Sequence, residues 1–230
     1  MNERKTAMEE GLSRIQECYD RIGEVADRTL QEAMPSPGDS FPKPGMEQDG
    51  KLDRNLGGKF FGELTRLIRV YKEETKYKVE LQLFTCDWTE LPFYDKFEVL
   101  LWMRDQLEDS QPTDSDSLKV CRTLEAGISH IEECFREISD LSDKLISAIL
   151  PRPGDCIKIN EDAKAEDALC LNLGDCEHPE PLEQICRSAE GETWFLHTTK
   201  SVHNWHSLPA LEKSLLLIRL LTPPPPPTSR

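Results

Sequence analysis

Residues 11–39 read GLSRIQECYDRIGEVADRTLQEAMPSPGD, and residues 127–155 read GISHIEECFREISDLSDKLISAILPRPGD. At one constant spacing the two stretches share many identical residues, among them Ile15, Cys18, Asp27 and four of the five residues of the turn at 35–39. Self-similarity at a fixed spacing indicates an internal repeat. We therefore interpret the two stretches as the same segment written twice.

The resemblance continues downstream of these stretches. The motif NLG at 55–57 returns at 172–174, and WxxLP at 88–92 returns at 205–209. Leu67 aligns with Ile185, and Lys96 aligns with Lys213. Collinear matches over half a chain predict a tandem duplication. The predicted organisation is a first repeat unit at 1–109, a linker at 110–118, a second repeat unit at 119–221 and a disordered proline-rich tail at 222–230.

Each quoted stretch predicts a long amphipathic helix, because its apolar residues follow steps of three and four. Pro35 and Pro151 end these helices, and a turn containing Gly38 or Gly154 follows. The repeated Pro-x-Pro-Gly-Asp is interpreted as a helix stop plus a turn. The alternative is a loop that presents its aspartate to a partner.

Three further elements are predicted in each repeat. A second helix is expected at about 59–74 and at about 180–188. A short strand is expected at 77–83 and 194–199, with continuation of the helix as the alternative. The last helix starts at Pro92 or Pro209, since proline is favoured in a first helical turn. The predicted fold class is mainly α, with α+β containing one short strand per unit as the alternative. The two helix-loop-helix-(strand)-helix units should pack as one bundle.

Charge and the N-terminal sequence limit the function and location. The 230 residues carry a formal net charge of −15, which disfavours binding to nucleic acid or to an anionic membrane. The first residues lack the apolar core of a secretory signal, and no apolar stretch is long enough to cross a bilayer. We expect a cytoplasmic or nuclear protein whose eight cysteines are mostly reduced thiols.

Catalytic and cofactor motifs are absent from the sequence, so we expect no enzyme activity, no cofactor and no catalytic residue. Cysteine and histidine do cluster in the second repeat, but not at the spacing of a zinc site. No metal is therefore expected. The clustered residues are Cys156, Cys170, Cys176, His178, Cys186, His197, His203 and His206. Cys18 and Cys134 are expected to be small buried side chains on the long helices.

Aromatic residues are concentrated in the first repeat. Trp88 and Trp205 are expected to pack on the helices they introduce, with a pocket for a partner helix as the alternative. Because large aromatic side chains dominate binding energy at interfaces, the first repeat is the candidate binding face, although core packing competes. The candidate partner-binding residues are Phe60, Phe61, Leu64, Trp88, Phe93, Phe97 and Trp102.

These observations favour a soluble, non-enzymatic adaptor or complex subunit that binds a protein partner through helical apolar and aromatic faces. A basic partner would suit the net negative charge. One alternative is a small Cys/His metal-binding module or enzyme in the second repeat. Another is a helical structural protein that forms homo-oligomers. The Pro223–Pro227 run is either a polyproline ligand or a disordered tail.

Overall fold

The computed structural model describes residues 2–42, 55–56, 65–159, 170–171, 180–191 and 193–221. Two compact units divide the chain. One is Tyr19–Cys134, here called the continuous unit; the other joins Met1–Cys18 to Phe135–Arg230 and is called the split unit. Among the described helices, none combines the length and apolar content needed to span a bilayer.

Two long helices belong to both units. Helix α1 covers Asn2–Ala33 and helix α3 covers Ser115–Ile149. Each passes from one unit to the other at an equivalent cysteine, Cys18 or Cys134. Their amphipathic pattern, and their ends just before Pro35 and Pro151, confirm the predicted helices. The predicted repeat boundaries are a separate, sequence-based division and stay a prediction.

In its described residues the continuous unit has one antiparallel sheet and one further helix. Its elements are β1 (Ser40–Phe41), β2 (Asn55–Leu56), β3 (Thr65–Glu73), β4 (Lys76–Leu81), β5 (Thr85–Asp87) and α2 (Phe93–Asp109). The strand order is β1-β3-β4-β5, and β2 pairs with the start of β3. Phe41 and Trp102 meet edge to face in the core, with ring centroids 6.0 Å apart.

The split unit repeats this arrangement. Its elements are β6 (Cys156–Lys158), β7 (Cys170–Leu171), β8 (Glu180–Arg187), β9 (Trp194–Thr198), β10 (Val202–Asn204) and α4 (Ala210–Leu221). The strand order is β10-β9-β8-β6, and β7 pairs with the start of β8. Ile185, Leu196, Trp205 and Leu217 are fully buried in this unit.

The predicted fold class is therefore wrong: the chain is an α+β protein whose described residues form two antiparallel sheets, not a mainly α bundle. The predicted second helices are also wrong, because β3 occupies the described part of 59–74 and β8 occupies 180–187. The predicted strands and the last helices at Phe93 and Ala210 are confirmed.

A β-bulge explains the mistaken helices. In β3 the pairing register shifts between Leu67 and Arg69, so Leu67 and Val70 both face the core although they are three residues apart. In β8 the register shifts between Leu182 and Gln184, with the same effect. One inserted residue converts the two-residue period of a strand into a helix-like step of three.

The sheets also correct the repeat alignment. Gly38 donates its backbone N–H to the Lys72 carbonyl, and Gly154 donates in the same way to Arg187. Lys72 and Arg187 are therefore counterparts. Counting back equally along the two strands makes Leu182, not Ile185, the counterpart of Leu67. The strand pairing supports this alignment, because Asn55 lies opposite Arg66 and Cys170 lies opposite Pro181. Since Arg66 and Pro181 are counterparts, Asn55 corresponds to Cys170. The second NLG, at 172–174, lies outside the described residues.

The predicted turn after each long helix is confirmed. Gly38 has φ of 89° and Gly154 has φ of 81°, a conformation that glycine adopts without steric cost. The Asp39 carboxylate accepts the backbone N–H of Ser36 at 2.7 Å, and Asp155 repeats this bond with Arg152 at 2.8 Å. Both aspartates therefore hold the turn.

Candidate functional site

The seven predicted partner-binding residues fall into three groups. Phe60, Phe61 and Leu64 lie outside the described residues. Trp88 and Trp102 are buried, with exposed fractions of 3% and 2%, and contact the core of the continuous unit. Phe93 and Phe97 are half-buried on α2, and Phe93 stacks on Tyr19 with ring centroids 4.4 Å apart. As a binding set the seven residues stay a prediction.

Trp88 forms part of a polar cluster. Its indole Nε1–H donates to Asp27 Oδ1 of α1 at 2.6 Å, and Lys96 Nζ of α2 donates to the same oxygen at 2.7 Å. The Lys96 ammonium also lies 5.5 Å from the centre of the indole ring, within cation–π range. Trp88 therefore contacts the helix that it introduces, as predicted, and joins it to α1.

The same cluster occurs in the split unit. Trp205 Nε1 and Lys213 Nζ donate to Asp143 Oδ1 at 2.7 and 2.9 Å, and Lys213 lies 5.8 Å from the indole centre. Lys213 also donates to Ser139 Oγ at 3.0 Å. The sequence showed that these aspartates, tryptophans and lysines recur, but not that they meet. Because their donors and acceptors satisfy one another, we interpret both clusters as structural.

The two candidate metal ligands Cys156 and Cys186 are bonded to each other. They face one another on β6 and β8 and form a disulfide, contrary to the expected reduced thiols. His203 Nε2 lies 2.6 Å from Ser201 Oγ, and the His206 ring packs against Trp194. Within the described residues no group of three or more Cys, His, Asp or Glu is placed to hold a metal ion. Cys176 and His178 lie outside that part, as does the side chain of Cys170.

Three further thiols have clear environments. Cys18 and Cys134 are buried, as predicted, and Cys134 Sγ accepts a hydrogen bond from Arg21 Nε at 3.2 Å. Burial raises the pKa of the Cys86 thiol to about 11, and the nearby Glu90 carboxylate adds to the shift. A raised pKa keeps the thiol protonated, which makes Cys86 a poor nucleophile.

The hairpin between β4 and β5 differs in character from its counterpart. In both units the hairpin is closed by one backbone bond, Leu81 N to Phe84 O at 2.8 Å and Thr198 N to Ser201 O at 2.9 Å. The continuous unit places Leu83 and Phe84 at this tip, with exposed fractions of 66% and 42%. Lys200 and Ser201 occupy the corresponding positions of the split unit.

Side-chain bonds also distinguish the two tips. Ser201 Oγ lies 3.0 Å from Thr198 Oγ1, and Thr198 Oγ1 accepts the backbone N–H of Ser201 at 2.9 Å. The split unit thus has a polar tip bonded to itself, whereas the continuous unit has an apolar tip exposed to solvent. Sequence reasoning missed Leu83 and Phe84 because Leu83 continued the alternation of a strand. Aligning the two hairpins would have found them.

Comparison of this chain with known protein families, with curated proteins and with solved structures gives no match.

Proposed function

We propose that this chain is a non-enzymatic protein-binding module, an adaptor or complex subunit, whose contact with its partner is the Leu83–Phe84 tip. The observation that carries the proposal is the exposure of this apolar pair where the second copy of the hairpin is polar. Since both copies share the strands, the turn bond and the Asp–Trp–Lys cluster, the tip is a place where the two copies have diverged.

The hairpin tip can contribute part of the free energy of binding. Covering a large apolar side chain contributes about 1.5–3 kcal/mol, so two partly exposed side chains supply at most about 3–6 kcal/mol. The paired strands hold both residues in place before binding, which lowers the entropy lost in the complex. Such a pair fits an apolar cleft on the partner.

The start of β3 lies beside the hairpin tip. Gln82, beside the tip, donates its backbone N–H to the Arg66 carbonyl at the start of β3. The segment with Phe60, Phe61 and Leu64 precedes β3 directly in the sequence. We therefore keep these residues as proposed contributors, together with a basic rim on the partner that complements the net charge of −15.

The proposed location is the cytoplasm or nucleus, and the Cys156–Cys186 pair offers a check. Structural disulfides are rare in those compartments. Alkylation of thiols in intact cells should find this pair reduced; a fully oxidised pair would indicate an oxidising compartment instead.

The test exchanges one tip for the other. Leu83→Lys combined with Phe84→Ser gives the continuous unit the residues of the second hairpin. Val202→Ser is the matched control, because Val202 is 57% exposed on the hairpin of the split unit. Tagged variants of the 230-residue chain are purified from the native cell, and their partners are measured by quantitative mass spectrometry.

We expect the tip variant to melt like the wild type but to lose at least one stoichiometric partner that the control retains. If the folded tip variant keeps every partner at the wild-type level, the proposed contact is wrong. If light scattering shows that the tip variant only changes an oligomer into a monomer, self-association replaces the adaptor function.

A further inference from the structure

A basic groove runs along α1 and α3 within the continuous unit. It is a cavity of about 380 Å³, and its lining includes Arg28, Lys119, Arg122 and His130. The helices approach closely beneath it, since a Cβ atom added to Gly127 would lie 2.1 Å from Thr29 Oγ1. The close approach of the two helices therefore brings basic side chains from both of them to one groove.

The charge of this groove is opposite to that of the chain. Three permanent cations face a single lining carboxylate, Glu32, although the chain carries −15 overall. Other cations are paired with carboxylates, for example Arg69 with Glu80 and Lys213 with Asp143. Within the described part of the chain, Arg28, Lys119 and Arg122 form no ion pair. Like charges held close together repel one another, and an anion bound between them would relieve that repulsion.

The second copy has lost this basic character. Thr6 stands at the position of Arg122, and Glu10 at the position of Ala126. Arg14, the counterpart of His130, forms an ion pair with Glu137, with Arg14 Nη2 3.3 Å from Glu137 Oε1. In the continuous unit the position of Glu137 is occupied by Arg21, so a cation replaces the carboxylate. All three differences make the continuous unit more positive. The groove is thus a local feature of one copy and not a by-product of the shared fold.

We propose that this basic groove binds a phosphate monoester dianion, either on a free small molecule or on a phosphorylated side chain of a partner. Arginine presents a planar fork of N–H donors that matches phosphate oxygens, and lysine adds a point charge. The cavity volume lies at the small end of the range for ligand pockets, which suits one phosphoryl group and the few atoms that carry it. The net charge repels a long nucleic-acid backbone, so an isolated anion is favoured.

The test is isothermal titration of the full chain with three probes. These are inorganic phosphate, a serine peptide phosphorylated at its central serine, and the same peptide with aspartate there. Arg122→Thr, which installs the residue of the second copy, and Arg28→Ala remove cations from the groove. Lys144→Ala is the matched control, because Lys144 is the counterpart of Arg28 in the split unit.

We expect saturable binding of the phosphopeptide, weakened about tenfold by each groove variant and unchanged by Lys144→Ala. If inorganic phosphate binds as tightly as the phosphopeptide, the ligand is a free small anion. If inorganic phosphate binds more weakly, the ligand is a phosphorylated side chain of a partner. Three results would each overturn the proposal. The phosphopeptide shows no saturable binding, or Arg122→Thr binds it as tightly as the wild type, or the wild type binds the aspartate peptide as tightly as the phosphopeptide. The Leu83→Lys/Phe84→Ser variant should bind the probes normally, so this result is independent of the proposed hairpin contact.

Discussion

Replacing Gly127 with alanine tests the close approach of α1 and α3 in the continuous unit. An added Cβ would lie 2.1 Å from Oγ1, 2.6 Å from Cγ2 and 2.8 Å from Cβ of Thr29. Thr29 is buried, and its hydroxyl donates to the Val25 carbonyl at 2.7 Å. The side chain therefore cannot move aside without breaking a bond or shifting a helix.

The expected change combines two opposite effects. Alanine in a helix is favoured over glycine by about 0.5–1 kcal/mol, whereas overpacking a core costs about 1–3 kcal/mol. We therefore expect Gly127→Ala to lower the free energy of unfolding by about 1–2 kcal/mol. Gly23→Ala is the matched control, because an added Cβ there meets nothing within 4 Å. That variant should raise the free energy of unfolding by about 0.5–1 kcal/mol.

Urea denaturation followed by circular dichroism measures both variants. Gly11→Ala adds a third comparison, since its close neighbour is the flexible end of Leu145 at 2.7 Å, and it should cost less than Gly127→Ala. In a Thr29→Ala background the Gly127→Ala penalty should shrink, because two of the three close atoms are gone. The reasoning fails if Gly127→Ala is as stable as Gly23→Ala.

Three other predictions concern polar groups and thiols. Asp143→Ala should lower the free energy of unfolding by about 2–4 kcal/mol, because Lys213, 3% exposed, keeps a buried charge without its carboxylate. The control is Asp140→Ala, which should change the free energy of unfolding by less than about 0.5 kcal/mol because Asp140 is exposed. If Asp143→Ala and Asp140→Ala had equal effects, the structural role of the cluster would be contradicted. Cys156→Ser should lower the free energy of unfolding by about 3–4 kcal/mol, because the disulfide closes a loop with a sequence separation of 30 residues. Wild type unfolded by urea in the presence of a reductant should be as stable as this variant. Alkylation of Cys86 by iodoacetamide should keep accelerating until about pH 11, because burial suppresses the thiolate below that pH; a plateau near pH 9 would contradict the raised pKa.

The sequence predicted the elements that have a single clear periodicity. The long helices, their proline stops and the turns at Gly38 and Gly154 depend on local rules, and all were correct. The sheets were missed because the bulges at Leu67 and Leu182 gave strands a helix-like spacing. Strand pairing is a long-range property, which a local pattern does not reveal.

The candidate site was predictable in part. The recurrence of Asp27, Trp88 and Lys96 in the second copy was visible, and only the fold could show that they meet. The hairpin tip and the basic groove were not found, because both depend on which side chains remain exposed. For each, the useful signal was a difference between the copies, such as Phe84 against Ser201, and not a similarity.

The sharing of the long helices has a consequence for how such a chain could arise. Each compact unit takes helical segments from both predicted repeats, so a lone repeat with the predicted boundaries would lack part of every unit. An ancestral single copy could have completed its fold only by exchanging helices with a twin, and gene duplication would then have fused the pair. A polypeptide cut within residues 110–114 should accordingly yield two fragments that fold only when mixed.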